Sequence, residues 1–295
     1  MITYPNVKVN LGLNVLRRRP DGYHDIETLF VPYFGMTDVL EIVPSPEFSI
    51  RITSSKPGIP DWDPMSDLCA KAWRLMNERF GIGPVAISLE KRNPVGGGLG
   101  GGSSDGAFTL KMLNELFSLG LGMAELAALA AELGSDCPFF VYNRPMIGEG
   151  RGEILSDFDL PAIDFGGEAA GCRDGLCSGL SSCEQAYAAP GPAEVSDTAY
   201  RLGVIALDSR LKVSTAQAYR SITPSVPETS LREVLSQDIT QWRGLLKNDF
   251  EPVISAAHPL VRETIDACYA RGCVYAAMSG SGPSVYYIDQ YFVKN

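Results

Sequence analysis

Between Val7 and Val15 the chain alternates. Val7, Val9, Leu11, Leu13 and Val15 are apolar, and Lys8, Asn10, Gly12 and Asn14 stand between them. A period of two sends successive side chains to opposite faces of a strand, so this pattern predicts a half-buried strand. Lys8 and Asn10 then share the face away from the core. "DVLEIV" (38–43), "EFSIRIT" (47–53) and "VAISLEK" (85–91) repeat the signal. Together they predict a meander-like β region near the N-terminus.

Helical spacing enters next. "SDLCAKAWRLMNERFG" predicts a helix capped by Ser66 and stopped at Gly81. Ala107, Leu110, Leu113 and Phe117 form one stripe of a second helix that Gly120 ends, and "MAELAALAAELG" (123–134) predicts a third. In the second half, "LGVIALD" (202–208) reads as a buried strand. Helical segments follow near 214–220, 230–236, 239–256 and 258–271. "CVYAAMSG" (273–280) and "SVYYI" (284–288) then read as a hairpin-like pair around "GSGP". The stretch from 162 to about 200 has no sustained period and is rich in small residues, so it reads as a surface insertion, disordered or irregular. Its Cys172, Cys177 and Cys183 fit no usual zinc spacing.

One segment asks for chemistry. "PVGGGLGGGSSDGA" (94–107) places six glycines in the seven positions from Gly96 to Gly102, interrupted by Leu99. Glycine loses more backbone freedom on folding than any other residue, so bare backbone is required there. A strand precedes the segment and a helix follows it. Strand, glycine loop and helix N-terminus together make an anion site, because the unpaired N–H groups of the first helical turn point outward and the helix dipole favours negative charge. Ser103, Ser104 and Asp105 are good caps and add hydroxyl donors. No lysine follows the last glycine, so the P-loop pattern is absent, and a GxGxxG match here means little.

Composition narrows the classes. The chain has 295 residues, 45% of them hydrophobic and 20% charged, with a net charge of −10. A surface this acidic argues against nucleic acid and membrane surfaces as partners, while leaving room for a local basic pocket. No apolar run approaches membrane-spanning length, and "MITYPNVKVN" lacks the charge-then-apolar order of a signal peptide. Seven cysteines with no CxxC pair point to reduced thiols and a cytoplasmic protein.

The glycine segment resembles the phosphate loop of the GHMP small-molecule kinases. "PNVKVNLGLNVLRRRPDGYHDIETLF" (5–30), "LGSDCPFF" (133–140), "GEGRGE" (148–153), "KVSTAQAY" (212–219) and "MSGSGPSVYYI" (278–288) resemble further motifs of that family, in the family's order. The doubled glycine block narrows the likeness to the branch whose acceptor is a polyol linked to cytidine diphosphate. The resemblance implies an α+β, two-domain fold with the active site in the cleft between domains. The N-terminal domain is expected over 1–160, the insertion over 161–200 and the C-terminal domain over 201–295. It also implies a helix after the last strand, for which "DQYFVKN" is too short.

Roles follow from the matching positions. Phosphoryl transfer needs an aligned hydroxyl, a base and positive charge near the moving group. The resemblance makes Asp136 the base and Lys8 the lysine that pairs with it and orients the acceptor hydroxyl. Asn10, Tyr23, His24 and Tyr219 are expected to bind the acceptor, with Tyr23 and Tyr219 on the two faces of the cytosine. ATP is expected at Lys91, Pro94, Gly96, Gly97, Gly98, Leu99, Gly100, Gly101, Gly102, Ser103 and Ser104, with Mg2+ bridging its phosphates and no protein metal ligand named. The bland alternatives are a helix cap for Asp136, an edge-strand lysine for Lys8 and a plain turn for "RPDGYHD". Two other functions stand beside this one: a GHMP kinase for mevalonate or homoserine, and a catalytically silent nucleotide-binding protein.

Overall fold

The computed structural model describes residues 1–54, 63–160, 163–166, 198–207 and 215–292. The expected insertion at 161–200 lies outside the described residues apart from its two ends. Two β-sheets and a helical layer make up the first half. Strands β1 (Ile2–Thr3), β4 (Val39–Pro44), β5 (Ser49–Ser54) and β6 (Val85–Lys91) form one sheet in the order β1-β4-β6-β5. Strands β2 (Asn6–Arg18), β3 (His24–Thr37), β7 (Met146–Gly150) and β8 (Ile154–Asp157) form the second, in the order β2-β3-β7-β8. The region is therefore no meander. β5 runs parallel to β6, and the crossover between them carries helix α1 (Leu68–Phe80).

Helices α1, α2 (Gly101–Leu116), α3 (Met123–Leu133) and α4 (Cys137–Tyr142) cover the first sheet. Leu40, Ile42, Ile87 and Leu89 meet Met76, Leu110, Leu113, Leu126 and Phe139 there, all buried. Each such side chain contributes about 1.5–3 kcal/mol of apolar burial. The cap of α1 is Asp67, one residue past the expected Ser66, and Gly81 closes it in the left-handed region. α2 stops short of Gly120, because Ser118 takes φ +51° and turns the chain out of the helix.

The second half has one sheet, β9 (Ile163–Asp164), β10 (Thr198–Ile205), β11 (Tyr275–Met278) and β12 (Val285–Phe292), ordered β11-β12-β10-β9. Helices α5 (Thr215–Arg220), α6 (Leu231–Leu235), α7 (Glu251–Ala257) and α8 (Pro259–Ala270) accompany it. The helix expected across 239–256 is broken. A 3-10 turn (Ile239–Gln241) and a loop containing Gly244 at φ +85° precede α7. Asn248 holds that loop: it accepts from Phe250 N–H (3.0 Å) and donates to the carbonyls of Met278 (2.7 Å) and Gly280 (2.9 Å).

β2 departs most from its sequence reading. It is buried on both faces from Asn6 to Asn14. Val7, Val9 and Leu11 pack with Leu202, Trp242, Tyr275 and Tyr286 of the second half, and Leu13 and Val15 pack with Phe250, Ile254 and Met278. The opposite, polar face lies under the glycine loop, so Lys8 and Asn10 are only 4% and 2% exposed.

Candidate active site

The glycine loop leaves β6 and enters α2 across a cleft of about 1230 Å³ lined by Lys8, Asn10, Tyr23, His24, Gly96, Gly98, Gly100, Ser103, Asp136, Arg151, Tyr219 and Ser281. Leu99 anchors it. Its side chain is buried with Val7 and Val9, and its carbonyl accepts the Lys8 backbone N–H at 3.0 Å. The residue that interrupts the glycines is therefore the one that fastens the loop to β2. Gly100 takes the cap position of α2 at φ +69°, a role expected of Ser103, Ser104 or Asp105. The first helical hydrogen bond runs from Ser104 N–H to the Gly100 carbonyl (2.9 Å). The amides of Gly101, Gly102 and Ser103 are thus left without a helical acceptor at the positive end of the dipole.

A second glycine segment closes over the first. Ser284 N–H donates to the Gly97 carbonyl (3.3 Å), and the Ser279 hydroxyl donates to the Gly98 carbonyl (3.3 Å). A Cβ on Gly98 would overlap the Ser279 carbonyl and lie 3.0 Å from Gly282 N, at a backbone φ of +76°. Bare backbone is needed at Gly98 because another backbone passes there.

Asp136 stands at the cap position of α4 but makes no capping hydrogen bond. Its Oδ2 lies 3.4 Å from Lys8 Nζ, with the carboxylate partly exposed to the cleft. Lys8 also donates to Asn10 Oδ1 (2.5 Å) and the Gly98 carbonyl (3.2 Å), and lies 5.2 Å from the centre of the Phe30 ring. Burial pulls the Lys8 ammonium below its ordinary value, and the charge of Asp136 opposes that shift without cancelling it. Asp136 thus occupies the cap position without capping, and Lys8, although β2 is the end strand of its sheet, is buried and no surface lysine.

Four expected residues sit differently from their sequence reading. Asn10 has its carbonyl on Lys8, and its Nδ2 donates to Thr28 Oγ1 (3.0 Å), so both ends of the amide serve the protein. Lys91, expected at ATP, is 4% exposed and paired with both Asp38 and Asp105. Burial alone would lower Lys91, but the two carboxylates reverse this and raise it. Ser104 is fully buried inside α2. Tyr219, expected on one face of the cytosine, has the His24 ring against it, centres 5.0 Å apart and planes 20° apart. Tyr23 is 57% exposed, with the Arg151 guanidinium 5.0 Å from its ring centre.

The sequence reading left out Arg18 and Arg151, which line the cleft, and Thr28, which lies behind it and accepts from Asn10. Arg151 stands inside the quoted "GEGRGE", whereas Thr28 is one buried residue of a long strand with no local signal. Among the described residues no group of three or more His, Cys, Asp or Glu side chains is placed to hold a metal ion, and no helix is long and apolar enough to cross a membrane. Cys69, Cys137, Cys268 and Cys273 are buried free thiols.

Comparison with known proteins places this geometry. Residues 67–144 match the GHMP kinases N terminal domain, and residues 230–290 match the GHMP kinases C terminal domain. The chain is 39% identical to the 4-diphosphocytidyl-2-C-methyl-D-erythritol kinase of Bacteroides thetaiotaomicron, over 97% of this chain and 91% of that protein. It is 31% identical to the enzyme of the same name from Geobacter metallireducens, over 95% and 85%. A solved 4-(cytidine 5'-diphospho)-2C-methyl-D-erythritol kinase superposes with a TM-score of 0.68 at 29% identity, covering 97% of this chain and 89% of that one. A homoserine kinase from Cytophaga hutchinsonii, at 17% identity and a TM-score of 0.60, shares the fold.

Proposed function

The chain belongs to the 4-diphosphocytidyl-2-C-methyl-D-erythritol kinases of the GHMP kinase family, and we propose that it transfers the γ-phosphoryl group of ATP to the 2-hydroxyl of that acceptor. This is a step of the non-mevalonate route to isoprenoid precursors. The observation that carries the chemistry is the Lys8–Asp136 pair, 3.4 Å apart at the floor of a cleft rimmed by the glycine loop.

Asp136 takes the proton of the acceptor hydroxyl. Its carboxylate has no capping bond to give up and opens onto the cleft. Lys8 holds the carboxylate and the hydroxyl in register and adds positive charge where negative charge moves. The amides of Gly101, Gly102 and Ser103 receive the ATP phosphates, and the buried Lys91 acts from behind as a brace between Asp38, β6 and α2. Mg2+ supplies charge neutralisation on the phosphates. Among the described residues no carboxylate cluster faces the cleft, so the ion would be held mainly by phosphate and water oxygens, with the Ser103 hydroxyl at the cleft wall as a further oxygen. Tyr23, His24 and Arg151 receive the cytidine diphosphate end of the acceptor, where Arg151 and Arg18 supply the cations that an anionic linkage requires. Both substrates are water-borne, and the buried free thiols suit a reducing compartment, which supports a cytoplasmic enzyme.

Release of ADP, measured with the diphosphocytidyl acceptor, with mevalonate, with homoserine and with no acceptor, tests this assignment. Turnover confined to the first supports it. Turnover with another alcohol, or ATP binding without turnover on any, rejects it.

A further inference from the structure

The polar face of β2 carries a chain of hydrogen bonds that ends away from the cleft. Thr28, fully buried on β3, donates its hydroxyl to the Gly12 carbonyl at 2.5 Å. Asn10 Nδ2 meets the same hydroxyl at 3.0 Å, and Asn10 Oδ1 meets Lys8 Nζ at 2.5 Å. Each link has a fixed polarity. A carbonyl only accepts, so the single hydroxyl proton of Thr28 belongs to Gly12. The Thr28 oxygen is then left as an acceptor, and Asn10 must turn its NH2 toward it. That turns the amide oxygen toward Lys8, whose ammonium has donors and no acceptor. The Gly12 carbonyl is available for this because a register shift between Leu11 and Leu13 lifts Gly12, at φ +70°, out of the regular ladder.

We propose that Thr28 is a positioning residue for phosphoryl transfer: it fixes the orientation of the Asn10 amide and so presents an oxygen to Lys8. The inference rests on the assignment of Lys8 above. Without the Thr28 acceptor the Asn10 NH2 has no buried partner, and rotation of the amide would set a donor against the Lys8 ammonium. The other groups facing Lys8 are Asp136 from the start of α4, the Phe30 ring from β3 and the Gly98 carbonyl from the glycine loop. Asp136 is the titratable one among them, so a lost amide oxygen is compensated from one side only. An NH2 group in its place further disfavours the charged form of a lysine that burial already discourages.

The test compares Thr28→Val, which keeps shape and loses the hydroxyl, with Thr28→Ser, which keeps it. Thr28→Val should lower kcat about tenfold, the scale of one misplaced buried hydrogen bond. The KM for ATP should stay unchanged, and the basic limb of the kcat–pH profile should move to lower pH. Thr28→Ser should restore both. Titration of Lys8 by NMR on lysine labelled with 13C at Cε, its signal assigned with Lys8→Met, should show the same shift without substrate. That measurement reads the Thr28 effect even if the diphosphocytidyl acceptor is not turned over, so the two ideas fail separately. In an Asn10→Asp background, which has no amide to rotate, Thr28→Val should leave the Lys8 titration in place. A Thr28→Val enzyme with unchanged kcat and an unmoved Lys8 titration overturns the proposal. So does a fall in melting temperature and kcat with Lys8 unmoved, or an equal loss in Val and Ser variants.

Discussion

The imidazole of His24 lies flat on the ring of Tyr219, with centres 5.0 Å apart and planes at 20°. Stacked rings in contact sit about 4.5–7 Å apart, so the two touch and leave no slot for a base between them. Tyr219 is itself backed edge-on by Phe250, 4.8 Å away. The pair ties the Tyr23–His24 turn of the first half to α5 of the second, and leaves Tyr23 as the exposed aromatic face at the cleft.

Tyr23→Ala should therefore raise the KM for the diphosphocytidyl acceptor while the KM for ATP barely moves. Loss of one base–aromatic stack predicts a roughly 5- to 150-fold rise. Tyr23→Phe should be nearly silent, because the ring survives. Initial-rate kinetics with each substrate varied separately decide this. Equal damage from Ala and Phe would assign the role to the hydroxyl, and loss of stability without a KM effect would reduce Tyr23 to a turn brace.

Asp136→Asn should lower kcat by about 100-fold or more, the scale of a lost positioned base. ATP affinity, measured by calorimetry, should stay near wild type, since the carboxylate faces Lys8 rather than the first turn of α2. Asp136 caps no backbone amide, so any fall in melting temperature should come from the buried Lys8 ammonium left without its carboxylate, and should shrink as pH rises and Lys8 loses its proton. A fall of the same size at every pH would contradict that.

Lys8 predicts opposite trends in activity and stability. Its folded-state value lies below the ordinary 10.5, with burial as the main cause. Between the lowered folded value and the unfolded one, the unfolded chain binds more protons, so the Lys8 contribution to stability rises with pH. Over the same window the native ammonium loses its charge and kcat falls. Urea unfolding of wild type and Lys8→Met across that range should show wild type gaining on the mutant as pH rises. A parallel decline of stability and activity would mean that Asp136 dominates burial.

Gly98→Ala and Gly102→Ala should behave oppositely, although both lie in the glycine run. At Gly98 a methyl group meets the Ser279 carbonyl in a backbone region L-residues avoid, so folding and turnover should both suffer. Gly102 lies in the first turn of α2, and a methyl there meets nothing within 4 Å. Alanine should stabilise that helix by up to about 1 kcal/mol. It should also raise the KM for ATP, because the open space beside those amides is where the phosphates are assigned. Thermal melts and ATP kinetics on both variants check the contrast, and an unchanged ATP KM in Gly102→Ala would move the phosphates elsewhere.

Local patterns carried far in some elements. β6 matches "VAISLEK" (85–91) end to end, and α3 matches its Ala-rich segment, because each shows one clear period and stands on a surface with one wet side. β3 went unread. Its first five residues, "HDIET", are mostly polar, and the buried run after them shows no alternation because the strand is covered on both faces: Phe30 packs with the helical layer, and Leu29 and Val31 with the core shared with the second half. The positions of Lys8 and Asp136 were legible through motif likeness, but the sequence holds no trace of their 3.4 Å approach. The fate of Lys91 was hidden for the same reason: its partners Asp38 and Asp105 lie 53 and 14 positions away.

β2 also sets how separable the two halves are. Leu13 N–H donates to the Lys247 carbonyl (2.8 Å), Asp249 N–H returns to the Leu13 carbonyl (2.9 Å), and Val15 N–H reaches the Asp249 carboxylate (2.6 Å). The strand that bears Lys8 is thus stitched to a loop from the far end of the chain, and its apolar face is core for the second half. The halves are not exchangeable modules. A second half transplanted from a relative must bring partners for Val7 to Val15, or Lys8 shifts with its strand, and recombination between homologues should tolerate crossovers outside this seam far better than across it.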